Sequence, residues 1–141
     1  MRSITEIIVH CTATEKGVPF SVADIDRWHK QKGWKGIGYH YVIYLDGTVH
    51  EGRPAWSVGA HCIGHNAHSI GICYIGGLGH PLKGDAKGKP EDTRTPEQKA
   101  ALEELLKQLH KCYPNATIHG HNEFANKACP CFDVQKEYST L

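Results

Sequence analysis

Residues 118–133, IHGHNEFANKACPCFD, hold His119, His121, Lys127, Cys129 and Cys131, with Gly120 and Pro130 among them. That density of imidazole and thiol in one short stretch is the chemistry of a metal site, and zinc is the first hypothesis. Zn²⁺ takes neutral imidazole nitrogens and thiolate sulfurs in a tetrahedron, and three protein ligands leave a fourth position open for water or substrate. His121 and Cys129, with seven residues between them, supply two ligands if one loop folds back on a strand end. The third must come from elsewhere in the chain.

The candidate is His10. The segment ITEIIVHCTAT is β-branched and apolar up to Val9 and then polar and small, so it predicts a buried strand ending at His10. In open sheets the carboxyl ends of strands are where ligands bind. ATIHGH predicts a second strand that delivers His119 and His121 to one face and Gly120 to the other. A His10–His121–Cys129 site follows, with two competing ligand sets. One uses His119, which would lie about 7 Å deeper along the strand. The other uses Cys131, since a Cys-Pro-Cys pair can chelate one ion.

Around these residues the chain predicts alternating strands and helices. Ser21 caps a helix over 22–32, with Asp24 at its third position and Ile25, Trp28 and His29 along one face. GYHYVIYLDGTVHEGR predicts a hairpin with a two-residue turn at Asp46-Gly47. AWSVGAHCIGHNAH reads as a loop presenting polar groups, and SIGICYIGG as a central strand buried on both faces. LGHPLKGDAKGKPEDTR is a surface excursion. Thr95, Pro96 and Gln98 open the clearest helix, whose stripe of Leu102, Leu105, Leu106 and Leu109 is core. DVQKEYST predicts a short final helix. The expected fold is α/β, a single domain over 1–141 with a central mixed β-sheet flanked by helices.

Composition narrows the function classes. The chain has 141 residues, 40% of them hydrophobic, so a core forms without disulfide staples. Of six cysteines, Cys11, Cys62, Cys73 and Cys112 read as structural thiols. A formal net charge of +1 with interspersed signs gives no basic stripe for nucleic acid. No apolar run approaches the roughly 18 residues of a membrane helix, and MRSITEIIVHC is too short and too soon polar for a signal peptide. The expectation is a monomer, cytoplasmic on synthesis, without membrane insertion.

Five segments, IIVHCTAT, DIDRWHKQKGW, GYHYVIYLDGTVHEGR, VGAHCIGHNAHSIGIC and HGHNEFANKACPCFD, taken in that order, resemble the zinc-dependent N-acetylmuramoyl-L-alanine amidases of the peptidoglycan recognition protein superfamily, and the phage-type enzymes above all. The resemblance covers nearly the whole chain. It implies hydrolysis of the amide between muramic acid and the first L-alanine of the peptidoglycan stem. It carries the zinc ligands to His10, His121 and Cys129, the catalytic Tyr to Tyr39, the Lys two residues before the Cys to Lys127, and substrate-groove residues to His61 and Asn66. There are two departures: Asn122 stands where close phage relatives carry a second His, and Cys131 where Ser or Gly is more usual. A phage or prophage enzyme of this kind reaches the cell wall after release through a membrane lesion made by another protein. Two other classes share these residues: a peptidoglycan-binding module without catalysis, in which loss of the Cys ligand is the usual sign, and a structural zinc domain closed by a fourth protein ligand.

Overall fold

A computed structural model describes residues 2–141. The sheet has the order β4-β3-β5-β1-β7, with β1 Glu6–Cys11, β3 Tyr41–Ile43, β4 Val49–Glu51, β5 Ser69–Tyr74 and β7 Thr117–Gly120. Pairing is parallel except between β3 and β4, so the sheet is mixed. A small parallel pair, β2 Thr14–Glu15 with β6 Gly77–Leu78, extends beyond the carboxyl ends of β1 and β5.

The central strands are buried, except at Glu6, because both faces of the sheet are covered. Ile7, Val9 and Cys11 point to the face packed by α2, Pro96–Cys112, where they meet Ile70, Ile72 and the leucine stripe Leu102, Leu105, Leu106 and Leu109. Burying such a side chain stabilises by roughly 2 kcal/mol each, an upper figure for a chain already partly collapsed when unfolded. Strand alternation turns Ile8 and His10 to the other face. There α1, Val22–Gln31, buries Ile25 against Ile37, Val42 and Ile75. The two helices therefore clamp the sheet while leaving its carboxyl edge free for the site.

Both helices start as their caps require. Ser21 and Asp24 exchange side-chain and backbone hydrogen bonds, as do Thr95 and Gln98. The buried Gln98 amide also donates to the carbonyls of Ile43 and Ile75, tying α2 to the ends of β3 and β5. The last helix, α3, is short, Val134–Tyr138, and is capped by Asp133. Arg94, buried, holds it in place through Glu137, Asp92 and the Tyr138 hydroxyl, and its guanidinium lies 3.4 Å from the Phe132 ring centre.

Three local expectations need correction. The hairpin does not turn on Asp46-Gly47. Gly47 N–H donates to the Tyr44 carbonyl and Gly47 has φ +86°, so Leu45 and Asp46 are the turn centre and the glycine takes the left-handed position after it. Asp46 instead anchors Thr48, accepting from both its N–H and its hydroxyl. β7 ends at Gly120, and His121 opens a 3₁₀ turn rather than continuing the strand. Cys112, at the end of α2, is exposed and not a core thiol.

His29 on α1 accepts from Gly38 N–H at 2.9 Å through Nδ1, and burial, then the charges of Lys32 and Arg53, lower its pKa to about 4. An unfolded histidine titrates near 6.5, so between those values the unfolded chain binds the extra proton and stability rises with pH. Metal-free protein is expected to lose stability, up to about 3 kcal/mol from this group, as pH falls from about 6.5 towards 4. Urea midpoints across that window check it. His29→Asn, which keeps an acceptor in place of Nδ1 but does not titrate, should flatten the slope; an unchanged slope would refute the assignment.

Candidate metal centre

His10, His121 and Cys129 converge from β1, the 3₁₀ turn after β7 and the loop before α3, and their ligand atoms all lie within 4.8 Å of one another. His10 Nδ1 is 3.1 Å from His121 Nδ1 and 3.8 Å from Cys129 Sγ. Two imidazole nitrogens and a thiol, each from a different segment and each with its donor atom turned to a shared point, fit a borderline-soft tetrahedral ion such as zinc. Burial, followed by His61, His121 and Lys127, lowers the pKa of His10; burial and then Lys127 lower that of His121. Both imidazoles are thus neutral near pH 7, the form that binds a metal.

The thiol loop is held by contacts with long sequence separation. Cys11 N–H donates to Cys129 Sγ at 3.2 Å. Tyr74, fully buried, donates its hydroxyl to the Pro130 carbonyl at 2.6 Å. Phe132, two residues on, lies under Arg94. The loop therefore rests on the sheet and on α3 at once.

The rival ligands are occupied elsewhere. His119 pairs Nδ1 with Glu123 at 2.9 Å and Nε2 with the Thr117 hydroxyl at 2.7 Å. Cys131 donates to the Gly77 carbonyl at 3.3 Å and lies 3.9 Å from Cys11 Sγ, and that contact with Cys11, followed by burial, pushes its pKa up. Glu123, adjacent in sequence to the ligand segment, accepts from Gly120 N–H and Gln135, so its carboxylate is committed to that corner.

The Tyr39 ring lies 5.2 Å from that of His10, tilted at 52° to it. Burial, then the neighbouring Cys73, Cys129 and Cys11 thiols, pushes its hydroxyl well above the usual phenol range, so it stays protonated. Lys127 is exposed, and its ammonium is close enough to act on both imidazoles. It lines a cavity of about 460 Å³ together with Trp34, His61, Asn66, His121 and Phe124. Within that wall Asn66 Oδ1 accepts from the N–H groups of His61 and Cys62, both at 2.9 Å, which closes the loop before β5. His61 is buried, and Nδ1 lies 2.8 Å from His10 Nε2. The loop thus reaches behind His10 as well as lining the groove, a link that sequence reasoning missed. Gly71, isolated in the apolar run of β5, was a signal of close approach there.

Comparison with known proteins adds a consistent picture. The family described as N-acetylmuramoyl-L-alanine amidase (Amidase_2) matches residues 1–132. The endolysin of Enterobacteria phage K11 is 43% identical over 136 residues, covering 96% of this chain and 86% of that protein. The structure of N-acetylmuramoyl-L-alanine amidase LysC from Clostridium intestinale URNW superposes with a TM-score of 0.75 at 33% identity, covering 92% of this chain and 77% of the other. A complex of the ectodomains of peptidoglycan recognition proteins LCa and LCx bound to tracheal cytotoxin superposes with a TM-score of 0.77 at 27% identity, covering 99% and 85%.

Proposed function

The chain belongs to the N-acetylmuramoyl-L-alanine amidase family, and from that premise we propose that it cuts the amide between N-acetylmuramic acid and L-alanine in peptidoglycan, using one zinc ion held by His10, His121 and Cys129. The observation that carries the reading is the meeting of those three donor atoms within 4.8 Å, beside a cavity lined by His121 and Lys127. When bound, zinc supplies Lewis acidity, bringing a water towards ionisation near neutral pH and polarising the scissile carbonyl.

The protein's own groups divide the remaining work. Tyr39, kept protonated, donates a hydrogen bond to the oxygen that gains charge as the carbonyl is attacked. Lys127 places a cation at the mouth of the same cavity, where it stabilises that charge and can give a proton to the departing amine. Asn66 spends its carbonyl on the loop and keeps its amide N–H₂ for the muramyl peptide. Among the described residues no carboxylate joins the donor group, and Glu123 is committed to Gly120 and Gln135, so proton transfer falls to these groups and to water. All of them come from one chain, so a monomer over 1–141 suffices. No helix among the described residues is long and apolar enough to cross a membrane, and access to the wall is proposed to depend on a lesion made by another protein.

The test is digestion of purified sacculi followed by mass analysis. Expected products are stem peptides with a free L-alanine amino group and glycan strands bearing intact lactyl groups. A chelator should abolish their release and added zinc restore it. Cleavage within the glycan or the stem would overturn the bond assignment, full activity of metal-free protein would overturn the zinc, and binding without release would favour the recognition-module reading.

A further inference from the structure

The structure assigns His61 a positioning role: we infer that it fixes the tautomer and orientation of His10, so that the Nδ1 lone pair is presented to a metal. The inference rests on the zinc reading above.

His10 makes contacts at both ring nitrogens. Nδ1 faces His121 Nδ1 at 3.1 Å and Cys129 Sγ at 3.8 Å, while Nε2 lies 2.8 Å from His61 Nδ1. A neutral imidazole has one N–H and one lone pair, and two nitrogens at 2.8 Å need a hydrogen between them. If Nδ1 of His10 is the ligand, its proton sits on Nε2 and is donated to His61 Nδ1. The proton of His61 is then on its own Nε2, which lies 3.1 Å from the buried Ser69 hydroxyl. One choice at the metal end decides the whole chain, and each contact in it has the matching partner.

The seat of His61 is shaped for this. A Cβ on Gly71 would come within 2.7 Å of the His61 ring, and one on Gly59 within 2.7 Å of His61 and 2.8 Å of His40. Two glycines thus clear the ring's space, and Asn66 fixes its backbone N–H. Both ring nitrogens are spent inside the protein. That is more constraint than a groove-lining side chain requires, and it is what a ligand's hydrogen-bond partner needs in order to hold an imidazole in one orientation.

Zinc affinity measured by chelator competition on the intact chain tests this without reference to turnover. His61→Leu is expected to weaken binding by about 10–100-fold, and His61→Asn to recover most of the loss, because its Oδ1 takes the place of Nδ1 as acceptor. Nitrogen NMR of zinc-loaded wild-type protein labelled at histidine should show the His10 proton on Nε2. Wild-type affinity in a folded His61→Leu, equal loss in Leu and Asn variants, or a proton on Nδ1 of His10 would overturn the assignment. The same spectra need no variant: a nitrogen–nitrogen coupling across the hydrogen bond from His10 Nε2 to His61 Nδ1 is expected, and its absence would overturn the assignment even where His61→Leu fails to fold. Absence of zinc binding by the wild type would instead overturn the metal reading, and the positioning role with it.

Discussion

Cys129→Ser is expected to cost more zinc affinity than the ~10–100-fold typical of losing a ligand's hydrogen-bond partner, and to abolish amide hydrolysis with it. A hydroxyl is a far poorer zinc ligand than a thiolate near neutral pH, and only two imidazoles remain to hold the ion. Because metal binds the folded state and not the unfolded one, the variant should also lose the increase in melting temperature that zinc gives the wild type. Cys131→Ser supplies the contrast. Its thiol is turned to the Gly77 carbonyl and Cys11, outside the donor group, so zinc content and turnover should stay close to wild type. Cys131 also has φ +72°, a left-handed conformation that glycine adopts without cost, so Cys131→Gly should fold at least as well. Zinc retained by Cys129→Ser and lost by Cys131→Ser would move the site two residues along the chain.

What the sequence made legible was local or periodic. The caps at Ser21 and Thr95 and the leucine stripe of α2 depend on residues three or four apart, and the buried runs of β1 and β5 need only their own composition. The mixed α/β sheet follows from those parts. Sequence spacing could also propose the His10–His121–Cys129 set, since strand ends and a soft-ligand loop are visible without coordinates. Less was legible where a contact joins distant segments or where side-chain chemistry competes with a backbone pattern. The Asp46-Gly47 pair fits a two-residue turn, but a glycine placed just after a turn meets the same need for positive φ, and only strand register separates the two. His119 and His121 look equivalent on an extended strand. Ending β7 at Gly120 makes them different: Glu123 and Thr117 take one ring, and the other swings to β1. The pairing of His61 with His10 spans 51 residues. Nothing in either motif alone specifies it beyond the glycine left open at position 71.

Tyr39→Phe and Lys127→Ala should each lower kcat by about 10² or more while leaving zinc content nearly unchanged. Neither residue belongs to the donor group, so neither change removes a ligand. The Tyr39 change deletes one hydroxyl from a ring that stays packed near His10, and the Lys127 change truncates an exposed side chain. Their proposed roles differ in a way that pH exposes. A phenol held well above its usual range stays protonated across the working range, so loss of its hydrogen bond should scale the pH profile down without moving it. Lys127 acts by charge: burial is the main cause of the lowered pKa of His10 and His121 in the metal-free protein, and after it, and for His10 after the neighbouring imidazoles, the Lys127 ammonium adds to the effect; removing it should let those groups bind protons at slightly higher pH and so make zinc uptake more acid-sensitive. The sign follows from competition, because a proton on either imidazole excludes the metal. Steady-state rates on sacculi with zinc titrations at several pH values separate these effects. A drop in kcat with little change in binding marks groups used in the transition state, whereas weaker substrate binding at wild-type kcat would make them walls of the groove. Wild-type kcat in both variants would leave hydrolysis to the metal site alone, and would refute the roles given to Tyr39 and Lys127.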